Sequence, residues 1–158
     1  MNAYSAATDA RALAQASCME HQILDHVKSA LRVTLDWKAP SIALSRKMSS
    51  VQFTAKSFAR HLMRMMDLEE SDGYMTIVRE QKPHLEHRVK KLERQHAEFR
   101  EYLDELKPEM ASLAGLPDDQ FEFVCSRILE LLDRVDQHDL DEIELLQETL
   151  LRDEGGEG

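Results

Sequence analysis

A chain of 158 residues, 42% apolar and 32% charged with a formal net charge of -10, is long enough to bury one core without staples. That acidity argues against nucleic acid, whose phosphates need clustered Lys and Arg, and no apolar run approaches the ~20 residues of a membrane span. Five Gly, four Pro and few β-branched runs point to helices.

The first helix is predicted over roughly residues 9–37, where Thr8 or Asp9 can cap it. Its inner face carries Ala14, Ser17, His21, Leu24, Leu31 and Leu35, and Pro40 ends it. A second helix, capped by Ser49 or Ser50, is predicted over about 50–80 on the stripe Phe58, Leu62, Met65, Met66 and Glu69. Gly73 weakens it locally, and Tyr74, Met75, Ile77 and Val78 carry it on. Pro83 suits the first turn of a third helix, 83–113, with Leu85, Val89, Leu92, His96, Phe99, Leu103 and Leu106 inward and a bend at Lys107–Pro108. After the turn at 114–119, the fourth helix (119–151) reads Phe121, Val124, Ile128, Leu131, Val135, His138, Glu142, Leu145 and Thr149. Residues 152–158 form a tail. Four long amphipathic helices with short links predict an all-α, single-domain four-helix bundle of up-down-up-down topology.

The N-terminus lacks a basic-then-apolar leader, and Cys18 and Cys125 lie far apart without CxxC spacing. Both features predict a cytoplasmic chain with two free thiols. Arg88, Lys90, Lys91 and Arg94 form a solvated outer face on the third helix, not a basic patch.

The informative residues are polar ones on apolar stripes. His96 stands amid apolar neighbours at minus four, plus three and plus seven. His138 and Glu142 lie one turn apart on one face of the fourth helix, Glu69 follows Met65 by a turn on the second, and His21 falls on the inner face of the first. Measured from the links, these positions agree within a turn, ~5 Å, so four helices can deliver them to one layer. Buried imidazoles and carboxylates need partners. Three His and two Glu form a ligand set for a first-row transition metal, iron above all, with zinc able to use the same atoms.

Each position also has a plainer reading. Glu69, Glu70 and Asp72 read equally as a solvated charge run, and Ser17 and Lys28 make the stripe of His21 the least apolar of the four. His26, His84 and His87 fall on exposed faces, and His61 lies beside its stripe. Met63, Met65 and Met66 suit core filling. Tyr74 and Tyr102 fit either pocket lining or ordinary packing. No Ser-His-Asp or Cys-His nucleophile pattern and no Gly-rich phosphate loop occurs.

From Glu20 to Gly156 the chain resembles the bacterial hemerythrin-like (HHE cation-binding) proteins. The resemblance rests on Glu20-His21, HLMRMMDLEESDGY at 61–74, PHLEHRVKKLERQHAEF at 83–99 and HDLDEIELLQETLLRDEGG at 138–156. It implies a hemerythrin-like bundle holding a non-haem di-iron centre that binds oxygen or serves in oxygen, iron or redox sensing. By position, His21 matches the first-helix histidine, Glu69 the bridging glutamate and Glu70 the acid beside it. His96 matches a third-helix histidine, and His138 with Glu142 the His-x-x-x-acid pair of the fourth. Two positions depart from the pattern. Met65 stands where the family carries a second-helix histidine, and Leu92 and Arg100 stand where the third helix often carries another. A thioether is a soft, poor iron ligand, so the resemblance implies one or two ions, with an open position near Met65 for a diatomic ligand such as oxygen. Met65, Glu70, His61 and Tyr74 are then the residues expected around the ligands.

Two other functions compete with an oxygen-binding, non-enzymatic protein. A ferritin-like di-iron oxidase or peroxidase would use an inward Glu-x-x-His pair; Glu93 and His96 have the spacing, but Glu93 turns off the stripe. A metal-free helical interaction module would keep the fold without the chemistry. The sequence names no protein partner.

Overall fold

The computed structural model describes residues 3–71 and 73–154, with side-chain surroundings for 15–71 and 73–149. Among the described residues there is no strand. Four long helices, α1 (Ala3–Asp36), α2 (Leu44–Glu70), α4 (Glu86–Ala111) and α5 (Asp118–Glu154), carry the fold, with one short helix, α3 (Tyr74–Gln81), between α2 and α4. No helix is long and apolar enough to cross a membrane among the described residues.

The helix bounds differ from the sequence reading where local chemistry outweighs the expected caps. The Ala-rich opening extends α1 back to Ala3, so Thr8 and Asp9 lie inside it; the side chain of Ala14 falls outside the described residues. Helix α2 begins at Leu44, directly after a 3-10 turn at Ser41–Ala43 that follows Pro40. Ser49 and Ser50 are therefore interior, because Met48 and Val51 extend the buried stripe toward the N-terminus. The Lys47 ammonium then donates to the carbonyls of Leu35 and Trp37, at 2.9 and 2.6 Å. That satisfies two acceptors left free at the end of α1.

The second expected helix does not run unbroken to residue 80. Helix α2 ends at Glu70 with Ser71 extended, and α3 starts at Tyr74 directly after an extended Gly73. A Cβ on Gly73 would stand 2.5 Å from the carbonyl oxygens of both Leu68 and Glu69, so only glycine permits this close return. A 3-10 turn at Pro83–Leu85 precedes α4, and Pro108 stays inside α4 near its end. Asp118 and Asp119 occupy the first turn of α5, where acidic groups favour the helix dipole. Arg152, Asp153 and Glu154, assigned above to the tail, lie in α5; residues 155–158 are outside the described part.

Helix α1 packs on α2, α4 on both α2 and α5, and α3 on α2 and α4. The α1–α5 seam is held by charge: buried Lys28 reaches Asp136 and Asp139 at 2.8 and 2.7 Å, and Arg32 reaches Asp133 and Asp136 at 2.9 and 2.6 Å. The buried apolar side chains form two groups. The larger runs through α1, α2 up to Met66, α4 from Phe99 and α5 up to Val135. The smaller comprises Met75, Val78, Leu85, Val89, Leu92 and Leu145. Between them along the helices lie Glu69, His96, His138 and Glu142, all buried. A polar layer thus divides the core.

Candidate metal centre

Each helix brings its polar residue inward by continuing an apolar period. Glu69 follows Met65 and Met66 on α2, His96 lies between Leu92 and Phe99 on α4, and His138 and Glu142 lie between Val135 and Leu145 on α5. One ligand atom from each of the four lies within 4.8 Å of every other. His96 Nε2 is 3.1 Å from His138 Nε2 and 3.0 Å from Glu69 Oε2. His138 Nε2 is 2.8 Å from Glu142 Oε1, which is 3.9 Å from His96 Nε2. Donors held about 2.0–2.2 Å from one first-row ion stand roughly 3–4.4 Å apart. The cluster comes near the spacing of a coordination sphere, with its extreme pairs, 2.8 and 4.8 Å, just outside that range.

The outer nitrogens of both rings are already engaged. His96 Nδ1 donates to Glu70 Oε1 at 3.0 Å, and Arg100 grips both oxygens of that carboxylate at 2.9 and 2.6 Å. His138 Nδ1 donates to Gln95 Oε1 at 2.6 Å. The Gln95 amide is oriented in turn by Asp141, at 3.3 Å. With the Nδ1 protons donated outward, both Nε2 lone pairs point into the same space. Two lone pairs facing each other at 3.1 Å repel unless a cation or proton lies between them. This outer clasp is the arrangement that orients metal-ligating histidines.

Glu69 supplies the second anomaly. Both its oxygens are buried, and no hydrogen bond of acceptable geometry reaches either of them. Its near neighbours are His21 Nε2, 3.2 Å from Oε1, and His96 Nε2. Burial works to raise the Glu69 pKa, yet the imidazoles of His21 and His96 hold it well below the ordinary carboxylate range. Burial pushes Glu142 the other way, and the adjacent Glu69 adds to the rise, so Glu142 keeps its proton. Burial, reinforced by His96, lowers the His138 pKa to about 4. Burial also opposes Glu70, but hydrogen bonds from Arg100 and His96 keep that carboxyl ionised below its usual value. A buried carboxylate beside inward-facing ring nitrogens and a second carboxyl group is a fitting place for a divalent cation.

His21 stands at the rim: its side chain is 37% exposed, and it touches the layer through Glu69. Glu70 supports His96, and the Tyr74 hydroxyl donates to Glu142 Oε1 at 2.8 Å. Met65 is buried with the larger apolar group, one turn before Glu69. His61 takes its partner elsewhere, 2.6 Å from Oε1 of buried Glu20. Glu93 faces away, paired with Arg79 at 2.6 Å. His26, His84 and His87 are exposed.

Four supporting residues escaped the sequence reading of the site: Gln95, Arg100 as an ion-pair partner, Glu20 and Asp139. The partners of all four come from other helices, so no period along one helix marks them. Asp139 accepts from Lys28 through Oδ2 and keeps a buried, unpartnered Oδ1 next to His138 in sequence. Comparison with known proteins gives no match to a family model, to a curated protein or to a solved structure.

Proposed function

We propose that the chain is a hemerythrin-like protein that holds non-haem iron in the bundle core and through it binds or senses oxygen or a related small oxidant in the cytoplasm. The cross-helix pairs support the up-down-up-down order this requires. Along α1 and α2, Glu20 pairs with His61 while Lys47 reaches back to Leu35. Along α4 and α5, Arg88 pairs with Glu148 and Arg127 with Glu105.

The observation that carries the proposal is the buried convergence of Glu69, His96, His138 and Glu142, with the Nδ1 atoms of both rings clasped from outside. Glu69, Glu142, His96 and His138 would hold the ion, with His21 completing the set from the rim. Bound iron would supply an exchangeable position and the electrons that oxygen chemistry needs. The protein's own part is to exclude water with Leu92, Phe99 and Val135, and to hold the rings of His96 and His138 in place through Glu70 and Gln95. A mixed carboxylate and imidazole set favours iron, and zinc accepts the same atoms.

Metal analysis of aerobically purified protein, with a spectrum after ferrous reconstitution, tests this directly. Stoichiometric iron with a near-ultraviolet charge-transfer band supports it. Absence of both, with an unfolding midpoint indifferent to chelator and added iron, rejects it in favour of a metal-free helical module. Met65→His places a nitrogen donor one turn before Glu69, and iron occupancy should rise in the same assay. Unchanged occupancy would mean that position 65 does not face the ion.

A further inference from the structure

The smaller apolar group lies on the far side of the polar layer from the main core, and α3 is its least anchored part. An eight-residue helix has no stability of its own. Ser71 and Gly73 are non-helical before it, and Lys82 is non-helical after it. Met75 and Val78 bury it against Leu85, Val89, Leu92 and Leu145, and Arg79 ties it to Glu93. Tyr74, at its first position, carries it to the polar layer through the 2.8 Å hydrogen bond to Glu142.

We propose that occupancy of the metal site controls the order of α3, with Tyr74 as the positioning residue that transmits it. The inference rests on the metal-binding reading above. Glu142 Oε1 accepts from the Tyr74 hydroxyl and lies 2.8 Å from His138 Nε2, beside the carboxylate of Glu69. Glu69, His96, His138 and Glu142 held to one ion would keep in place the oxygen that accepts the Tyr74 hydrogen bond. The acceptor then stays in one place, and the start of α3 is pinned. Through the breaks on both sides, α3 can loosen without unwinding α2 or α4, which gives a metal sensor a movable element next to its ligands.

Hydrogen exchange on the full chain, metal-free and loaded anaerobically with ferrous iron, tests the coupling, with iron content measured on the same samples. Loading should slow exchange of the Tyr74–Gln81 amides by about tenfold or more, the range expected when a local opening is suppressed. In Tyr74→Phe with equal iron content, α4 and α5 around the ligands should still gain protection while α3 gains none. A purely structural tyrosine would shift α3 exchange equally in both states and leave the increment intact. That result overturns the proposal, as does iron-loaded wild type with unchanged α3. Should Tyr74→Phe not fold, the wild-type increment alone decides. Samples that take up no iron remove the metal reading and this inference together; loaded samples with an unmoved α3 remove the inference only.

Discussion

Glu142 and His138 are adjacent on one helix face, yet burial moves their charges in ways that separate stability from binding. Glu142 is already protonated in the metal-free fold, so Glu142→Gln keeps its shape and charge. Denaturant titration should place the metal-free variant within about 1 kcal/mol of the parent. Its ferrous affinity should fall more than tenfold, an effect on the order of those seen when a ligand's support is removed. His138 behaves differently. Its folded pKa of about 4 lies below the 6.5 of a free ring, so the unfolded chain takes up the proton first. The stability it contributes is complete above about pH 6.5 and is lost as pH falls from there to about 4, on the order of 3 kcal/mol. Metal-free unfolding curves across that window should show this loss, and His138→Gln should flatten it; an equal slope in the variant would remove His138 as the cause. His96, His138 and Glu142 are legible in sequence because each replaces an apolar residue on an otherwise unbroken stripe. Gln95 and Asp139 sit one position from that stripe and acquire their meaning only from neighbouring helices.

The long helices follow from their 3.6-residue periods, and the stripes read on α4 and α5 coincide with buried positions from Leu85 to Leu106 and from Phe121 to Leu145. Their ends are less legible. Ala-rich sequence extends α1 without a cap, and Met48 and Val51 extend α2 past two serines suited to capping it. The break at Ser71–Gly73 is hidden because Met75 and Val78 remain apolar at helical spacing on both sides of it. What reveals it is contact between backbones, which no side-chain pattern records. Gly73→Ala should therefore be costly for so small a change, because the added methyl meets two carbonyl oxygens that cannot rotate away. Thermal and denaturant unfolding should show a loss of about 2 kcal/mol, with weaker protection at the start of α3. A neutral result would mean that the turn relaxes freely.

Across the whole molecule, α1 and α5 share the larger apolar core and are also joined by a row of charge pairs. Lys28, which weakens the α1 stripe on paper, is 8% exposed and sits against two aspartates. Its burial could not be read from α1, because Asp136 and Asp139 are more than a hundred residues away in the chain. Lys28→Met leaves Asp139 without its cation while Asp136 keeps Arg32, so it should cost about 3 kcal/mol, read by chemical unfolding. Adding Asp139→Asn should recover part of that loss; no recovery would mean that the seam depends on the lysine's hydrocarbon stem.

The clasp on the two imidazoles has a consequence for selectivity. Glu70 and Gln95 fix both rings while the chain folds, so little rotational freedom is left to lose when an ion arrives. The same rigidity sets a radius. Calcium prefers oxygen ligands at about 2.3–2.6 Å, and would have to push apart helices whose side chains are packed above and below the layer. On the proposed metal-binding reading, an ion with bonds near 2.1 Å would ask for less movement than calcium, so the frame that holds the rings would also gauge ionic size.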